Sequence, residues 1–340
     1  MSITFADLTT MRVGGPIGRL HVATAAEHAV ELFRDADGAG EPLLVMGGGS
    51  NLVVGDVGWD GTVVRMASDT VEVDGTTITA AAGVEWDRLV ALAVEQGLAG
   101  IELLSGIPGS VGGTPVQNVG AYGTETSDVL EAVTVYDRET GAVERWGRDR
   151  CGFGSHRMSV FKRSDRWAVL DVTYRLRRGE QSGPIKDPVI AERLGIEKGG
   201  TAALADVRAA VVAQRRSKKM VLDADDHDTW SVGSFFINPV MPDGEIPAAA
   251  AECPSKPDVP GKTKLHAAWL IQHAGFNPGY GLDWGNGTVA LSSRHTLAVT
   301  NRGGATTADV MKFAAHIRDG VAAKYQIRLN PECDLINCSY

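Results

Sequence analysis

Between Leu104 and Thr124 the chain reads SGIPGSVGGTPVQNVGAYG, residues 105–123. The stretch follows neither the alternation of a strand nor the period of a helix. Its glycines and prolines punctuate both elements, and long irregular segments in compact domains are usually functional. Upstream, Leu43-Leu44-Val45-Met46 is a short apolar run that ends in Gly47-Gly48-Gly49-Ser50-Asn51, a buried strand entering a second glycine loop. Glycines grouped in this way permit tight turns and close approach of bare main chain to a ligand. Successive backbone N–H groups in such a loop form a concavity suited to a pyrophosphate. GGGSN alone reads better as a tight turn. Two glycine loops separated by a hairpin and a helix supply two walls for one extended anionic cofactor.

The common nucleotide motifs are absent. No Gly-x4-Gly-Lys-Ser/Thr string exists, and neither loop has the Gly-x-Gly-x-x-Gly spacing of a dinucleotide fold. Around the loops the chain is rich in strands. Residues 62–66 read as a strand, and residues 70–79 as a hairpin turning at Asp74-Gly75. Residues 86–97 read as a helix with Trp86, Leu89, Val90 and Ala93 on one face. Strands follow at 132–136 and 167–176, then a polar surface excursion at 177–198. A helix over 204–219 ends in Arg215, Arg216, Lys218 and Lys219, cations suited to a solvated helix C-terminus. Residues 248–262 read as a loop, 264–274 and 307–325 as amphipathic helices, and 296–300 as a strand between them. In the last stretch, Asn330-Pro331-Glu332 reads as a turn that presents a carboxylate.

At 340 residues the chain has room for two or three domains. Its 44% hydrophobic and 22% charged residues exclude a disordered chain. The formal charge of −9 argues against nucleic acid as a partner, though a local cationic pocket for an anionic small molecule remains compatible with it. No apolar run approaches the roughly 18 residues of a membrane span. The opening MSITFADLTTMRVGG lacks the basic and apolar regions of a secretory signal, so a cytoplasmic location is expected. Cys151, Cys253, Cys333 and Cys338 form no Cys-x-x-Cys pair and read as reduced structural thiols. No metal is expected. The acidic run Asp223-Ala224-Asp225-Asp226-His227-Asp228 lacks the glycine and closing glutamate of a calcium loop, and His266 with His273 reads as an ordinary helix pair.

Taken in order, the two loops and the strings that follow them resemble the UDP-N-acetylenolpyruvoylglucosamine reductase family. The strings are Arg157-Met158-Ser159-Val160-Phe161-Lys162, Gly233-Ser234-Phe235-Phe236-Ile237-Asn238-Pro239, Lys264-Leu265-His266-Ala267-Ala268-Trp269 and Leu329-Asn330-Pro331-Glu332. The resemblance spans residues 9–332, and the long excursion is similar to the longer of the family's two forms. It implies an α+β flavoprotein with a vanillyl-alcohol-oxidase/p-cresol-methylhydroxylase-type FAD-binding fold and a C-terminal α+β substrate domain. The expected domains are 1–68 completed by 327–340, then 69–220, then 221–326.

The resemblance also implies non-covalent FAD, NADPH as co-substrate, and a UDP-sugar as substrate. The product, UDP-N-acetylmuramate, belongs to peptidoglycan precursor synthesis. A monomer or weak dimer is expected. The catalytic residues carried over are Arg157, Ser234 and Glu332. An arginine fork can hold the substrate carboxylate at two points, the serine hydroxyl can give a proton, and the glutamate helps stabilise the intermediate. Cofactor contacts carry over to Gly47, Gly48, Gly49, Ser50, Asn51, Pro108, Gly109, Ser110, Gly113, Gln117, Asn118, Gly120 and Tyr122. Substrate contacts carry over to Lys218, Asn238, Lys264 and His295. Three tyrosines usual in the family are replaced, by His156, Asp187 and Cys253. That leaves two further readings open: a paralogous flavin reductase with a different enol-ether or nucleotide-sugar substrate, or a flavin-binding module without turnover.

Overall fold

Residues 70–79 form the hairpin that their alternation predicts. Val71–Asp74 runs antiparallel to Thr77–Ala81, with Asp74 opposite Thr77 across Gly75 in the left-handed region. The hairpin is one edge of a five-stranded antiparallel sheet in a computed structural model that describes residues 3–154 and 158–340. The sheet runs Val143–Gly147, Leu130–Asp137, Trp167–Arg175, Thr77–Ala81, Val71–Asp74. Val133, Val172 and Ala80 lie in one cross-strand row and are fully buried. Such a row of buried pairs holds the strands in register, because a one-residue slip would turn every apolar side chain to solvent.

Two compact units divide the chain: residues 19–48 with 60–217, and residues 1–18 with 49–59 and 218–340. The first unit holds the five-stranded sheet. Helix Ala26–Gly38 buries Ala29, Val30, Phe33 and Ala36, and Phe33 packs 5.5 Å from the Tyr136 ring. Helix Trp86–Glu95 buries Trp86, Leu89, Val90 and Ala93, the face its spacing predicts, and stops where Gly97 turns left-handed. Trp86 packs 5.7 Å from Tyr174 and donates its indole N–H to Leu104 O at 3.0 Å. A buried indole needs such a partner.

The excursion at 177–198 departs from its sequence reading. It contains helix Pro188–Leu194, and Ile185, Ile190 and Ala191 are buried with Leu103, Val207 and Val211 in a core of their own. Its few apolar residues are too sparse to show a period, but helix Leu204–Ser217 covers them. That helix also corrects the reading of its terminal cations. Arg215 is buried, since it follows Val207 and Val211 on the inner face.

In the second unit, Leu52–Val54 pairs in parallel with Asp334–Ile336, so early and late chain share one element. Helix Thr307–Tyr325 starts with a capping box, Thr306 with Asp309, and buries Val310, Phe313, Ile317 and Val321. Against it lie helix Ala267–His273 and the strands Val289–Leu291 and Val299–Asn301. Lys264, expected on a helix, lies on strand Lys262–Leu265, between Val240–Pro242 and Ser255–Pro257. The acidic run at 223–228 is a braced turn: Asp226 pairs with Lys219 at 2.6 Å, and Asp228 holds the Ser293 hydroxyl at 2.6 Å and Arg302 at 2.7 Å. Among the described residues no group of three or more His, Cys, Asp or Glu is arranged to hold a metal. No helix there is long and apolar enough to cross a membrane. Burial pushes the Cys151 thiol up to about 11 and raises those of Cys253 and Cys338, which suits inert thiols.

Candidate active site

The first unit brings the two glycine loops together. Strand Leu43–Met46 pairs in parallel with Trp59–Met66 and delivers Gly47 and Gly48 at its C-terminal end. A Cβ on Gly48 would stand 3.0 Å from Gly109 Cα and 3.2 Å from its carbonyl carbon. A Cβ on Gly47 would stand 2.0 Å from the Ser110 hydroxyl. At Gly48 main chain therefore lies against main chain, and at Gly47 against the Ser110 side chain, so glycine is the residue that fits both positions without a shift. The second loop is pinned from beneath. Trp86 N donates to Gly109 O at 3.0 Å, Val111 N to Val84 O at 2.8 Å, and Gly112 N to Ala82 O at 2.9 Å. Gly112 lies so close to Ala82 that a Cβ would come within 2.6 Å of the alanine methyl, whereas Gly113 faces open space. Glycine thus serves two ends here: close packing at 47, 48 and 112, and an unobstructed surface at 113.

The second loop ends in short helix Gly113–Val116, capped by Gln117. Gln117 and Asn118 are buried. Asn118 is left-handed, with its amide nitrogen donating to Glu125 at 2.9 Å and its carbonyl accepting from Ser127 N at 3.0 Å. Asparagine is among the few residues that tolerate this conformation. Gly120 sits in a two-residue ladder with Glu125, and Pro108 is half-buried. Tyr122 is also left-handed. Burial pushes its phenol up, with Arg215 pulling it back, so the hydroxyl stays protonated. The buried Arg215 donates through Nε to Gly106 O at 3.0 Å. This cation under the loop was missed in the sequence, although its place two turns beyond Val207 put it on the inner face.

The start of the same loop is held by an ion pair. Asp87 accepts from Gly106 N at 2.6 Å and from both Arg208 terminal nitrogens at 2.6 and 2.8 Å. Burial alone would raise the Asp87 carboxyl, but Arg208 and the Gly106 N–H hold it below the usual carboxylate range. A lowered pKa gives stability that is present above the unfolded value of about 3.9 and lost as pH falls through the folded value. Asp87→Asn protein should therefore be less stable than wild type at neutral pH, and the gap should close below about pH 4. Urea unfolding at neutral and acid pH measures it; a gap of constant size would show that the carboxylate charge contributes nothing.

The second unit carries Gly49, Ser50 and Asn51 and all four substrate candidates. Gly49 is left-handed, and a Cβ there would stand 2.2 Å from Leu8 O. Asn51 O accepts from Asp334 N at 2.9 Å, and Ser50 is half-buried. Backbone pairing joins the segment that follows Ser234 to the one that carries Glu332. Phe236 bridges Pro331, Glu332 N donates to Phe235 O at 2.8 Å, and Ile237 N to Asn330 O at 3.0 Å. Asn330-Pro331-Glu332 is thus an extended partner of 235–237 rather than the turn its composition suggests. Both Ser234 and Glu332 are half-buried, with Phe235 and Phe236 buried beside them.

Asn238 accepts through Oδ1 from Ala267 N at 2.9 Å, so it tethers the start of helix Ala267–His273. Lys264 is paired with the buried carboxylate of Asp258. His295 is half-buried and gives its carbonyl to Ala298 N at 3.1 Å, while Lys218 is exposed. Arg157 and His156 lie outside the described residues. Asp187 caps helix Pro188–Leu194, accepting from Val189 N and Ile190 N at 3.0 and 3.1 Å. The buried Cys253 thiol points to the Pro254 and His266 carbonyls.

Bare main chain in two touching loops fits a group that needs N–H donors and close approach, as the pyrophosphate of a dinucleotide does. In the second unit, hydroxyl, carboxyl, amide and ammonium groups fit an anionic substrate that must also receive a proton.

Two family models match the chain. Residues 19–147 match the family described as FAD binding domain, and residues 225–336 match the UDP-N-acetylenolpyruvoylglucosamine reductase C-terminal domain. The UDP-N-acetylenolpyruvoylglucosamine reductase of Saccharopolyspora erythraea is 46% identical over 98% of this chain and 94% of its own length. That of Thermobifida fusca is 46% identical over 96% of this chain and 95% of its own. The crystal structure of the reductase of Thermus caldophilus is similar with a TM-score of 0.68 at 25% identity, covering 98% of this chain and 97% of that one.

Proposed function

Because the chain belongs to the UDP-N-acetylenolpyruvoylglucosamine reductase family, we propose that it reduces the enolpyruvyl group of UDP-N-acetylglucosamine enolpyruvate to give UDP-N-acetylmuramate. The electron donor is NADPH and the cofactor is non-covalent FAD. The observation that carries this reading is similarity along nearly the whole chain, which takes in both the FAD binding domain and the C-terminal domain.

When bound, FAD supplies the relay that takes hydride from NADPH and passes it to the substrate's terminal CH2. Negative charge then develops on the carbon that bears the carboxylate and the ether oxygen. That charge needs preorganised donors and afterwards a proton. We assign Arg157 to the substrate carboxylate, where its fork binds two oxygens and stays charged. Ser234 gives its hydroxyl proton to the charged carbon, and Glu332 helps stabilise the intermediate through a hydrogen-bond chain. Lys218, Lys264, Asn238 and His295 bind the nucleotide-sugar part. The ion pair of Lys264 with Asp258 fixes where that ammonium stands. Gly47, Gly48, Gly49, Ser50, Asn51, Pro108, Gly109, Ser110, Gly113, Gln117, Asn118, Gly120 and Tyr122 hold the cofactor.

The reaction places the protein in peptidoglycan precursor synthesis, hence in cell wall biogenesis, cell shape and cell division. A cytoplasmic location follows from the nucleotide-sugar substrate, and we infer a monomer or weak dimer. One observation favours a second reading, a paralogue acting on another enol ether: the Asp187 carboxylate is taken up by helix N–H groups, where the family's longer form has a substrate-gripping tyrosine. The test is release of the cofactor. Purified protein should be yellow, and acid precipitation should free intact FAD into the supernatant. Colourless protein that takes up no added FAD would overturn both enzyme readings.

A further inference from the structure

We propose that Lys162 is a positioning residue: it fixes the side-chain amide of Gln117 as a hydrogen-bond donor toward the bound flavin and through it raises the flavin's reduction potential. The proposal rests on the reading of Gln117 as a flavin contact. It begins in a four-residue helix, Val160–Arg163, that packs under the end of the second glycine loop. Ser159 is fully buried and ties the two pieces together. Its hydroxyl donates to Val116 O at 2.7 Å and accepts from Lys162 N at 3.2 Å. Phe161 stacks on Trp146 with ring centres 5.7 Å apart, so the helix is anchored from its other side as well.

From that helix the Lys162 ammonium reaches Gln117 Oε1 at 2.5 Å. An ammonium has donors only, so the atom it meets must be the amide oxygen. Turning the amide over would set donor against donor at a buried position, which is costly. The NH2 group is therefore held at the opposite edge. The backbone that carries Gln117 is held in place, because its N–H caps helix Gly113–Val116 and both ends of the neighbouring Asn118 side chain are occupied. The cationic hydrogen bond also polarises the amide and strengthens its N–H groups as donors. Flavin carbonyls are acceptors that gain electron density on reduction, so a fixed donor favours the reduced form over the oxidised one.

The experiment compares Lys162→Met, Gln117→Leu, the double variant and Lys162→Arg. The readouts are FAD affinity and midpoint potential by anaerobic dye equilibration, with melting of each apoprotein as the check on folding. Lys162→Met should weaken binding of reduced relative to oxidised flavin by about tenfold, a fall in potential of about 30 mV for a two-electron couple. Gln117→Leu should give a similar fall, the double variant no further fall, and Lys162→Arg a potential near wild type. An unchanged potential in Lys162→Met overturns the proposal. So does a double variant whose shift is the sum of the two, because lysine would then act by its own charge. Where Lys162→Met does not fold, Gln117→Leu decides, and an unchanged potential there overturns the proposal. Wild-type protein that binds no FAD overturns the flavin reading itself and this inference with it.

Discussion

Ser234→Ala protein will bleach its flavin with NADPH at close to the wild-type rate and then form product more slowly by orders of magnitude. The reason is the division of labour between the half-reactions. Hydride transfer from NADPH needs the two cofactors aligned, and the serine hydroxyl takes no part in that. The second half-reaction ends with a proton reaching carbon, and a positioned donor typically contributes roughly 100-fold to 10,000-fold. Serine is a weak acid in water and acts only in a polarised, partly desolvated place. The half-buried position of Ser234, beside Phe235 and on the segment paired with Glu332, suits that requirement. Stopped-flow measurement of each half-reaction separates the outcomes. Equal slowing of both would contradict the proton-donor assignment and point to a general disturbance of the site.

Gly48→Val protein will lose its flavin. A Cβ at this position already stands 3.0 Å from Gly109 Cα, and valine adds two methyl groups beyond it. Backbone cannot swing aside as a side chain can, and the loop around Gly109 is bonded to the segment beneath it through Trp86, Val84 and Ala82. The loops must separate, and the N–H groups that line them separate too. FAD affinity should fall by roughly 100-fold, about 3 kcal/mol at 1.4 kcal/mol per tenfold. Gly48 itself is exposed, so separating the loops there opens no core and the apoprotein should still fold. Gly183→Ala is the control, since nothing lies within 4 Å of a Cβ there. Fluorescence titration with FAD measures both; full affinity in Gly48→Val would show that the apposed loops are not the cofactor cradle.

Local signals made part of this architecture legible in advance. The hairpin at 70–79 announces itself by alternation and Asp74-Gly75, and helix Trp86–Glu95 by its apolar spacing. Partners distant in sequence hid the rest. The helix after Lys264 begins at Ala267 because Asn238, far upstream, supplies the group that meets its first N–H. Glu332 lies on an extended segment because 235–237 offers an unpaired edge, which the composition of Asn330-Pro331-Glu332 does not reveal. Ile185 and Ile190 are covered by Val207 and Val211, so a stretch that looks polar has a core. Of the candidate site, the glycine loops were readable as ligand-approaching main chain. That Gly48 meets Gly109, that Arg215 supports Gly106, and that Lys162 holds Gln117 depend on the tertiary fold.

The most direct test of the whole account uses wild-type protein without oxygen. The yellow enzyme is bleached with one equivalent of NADPH, and UDP-N-acetylglucosamine enolpyruvate is then added. Colour should return within turnover time, with one UDP-N-acetylmuramate formed per flavin. Enzyme that stays bleached until air is admitted would contradict the assigned reaction.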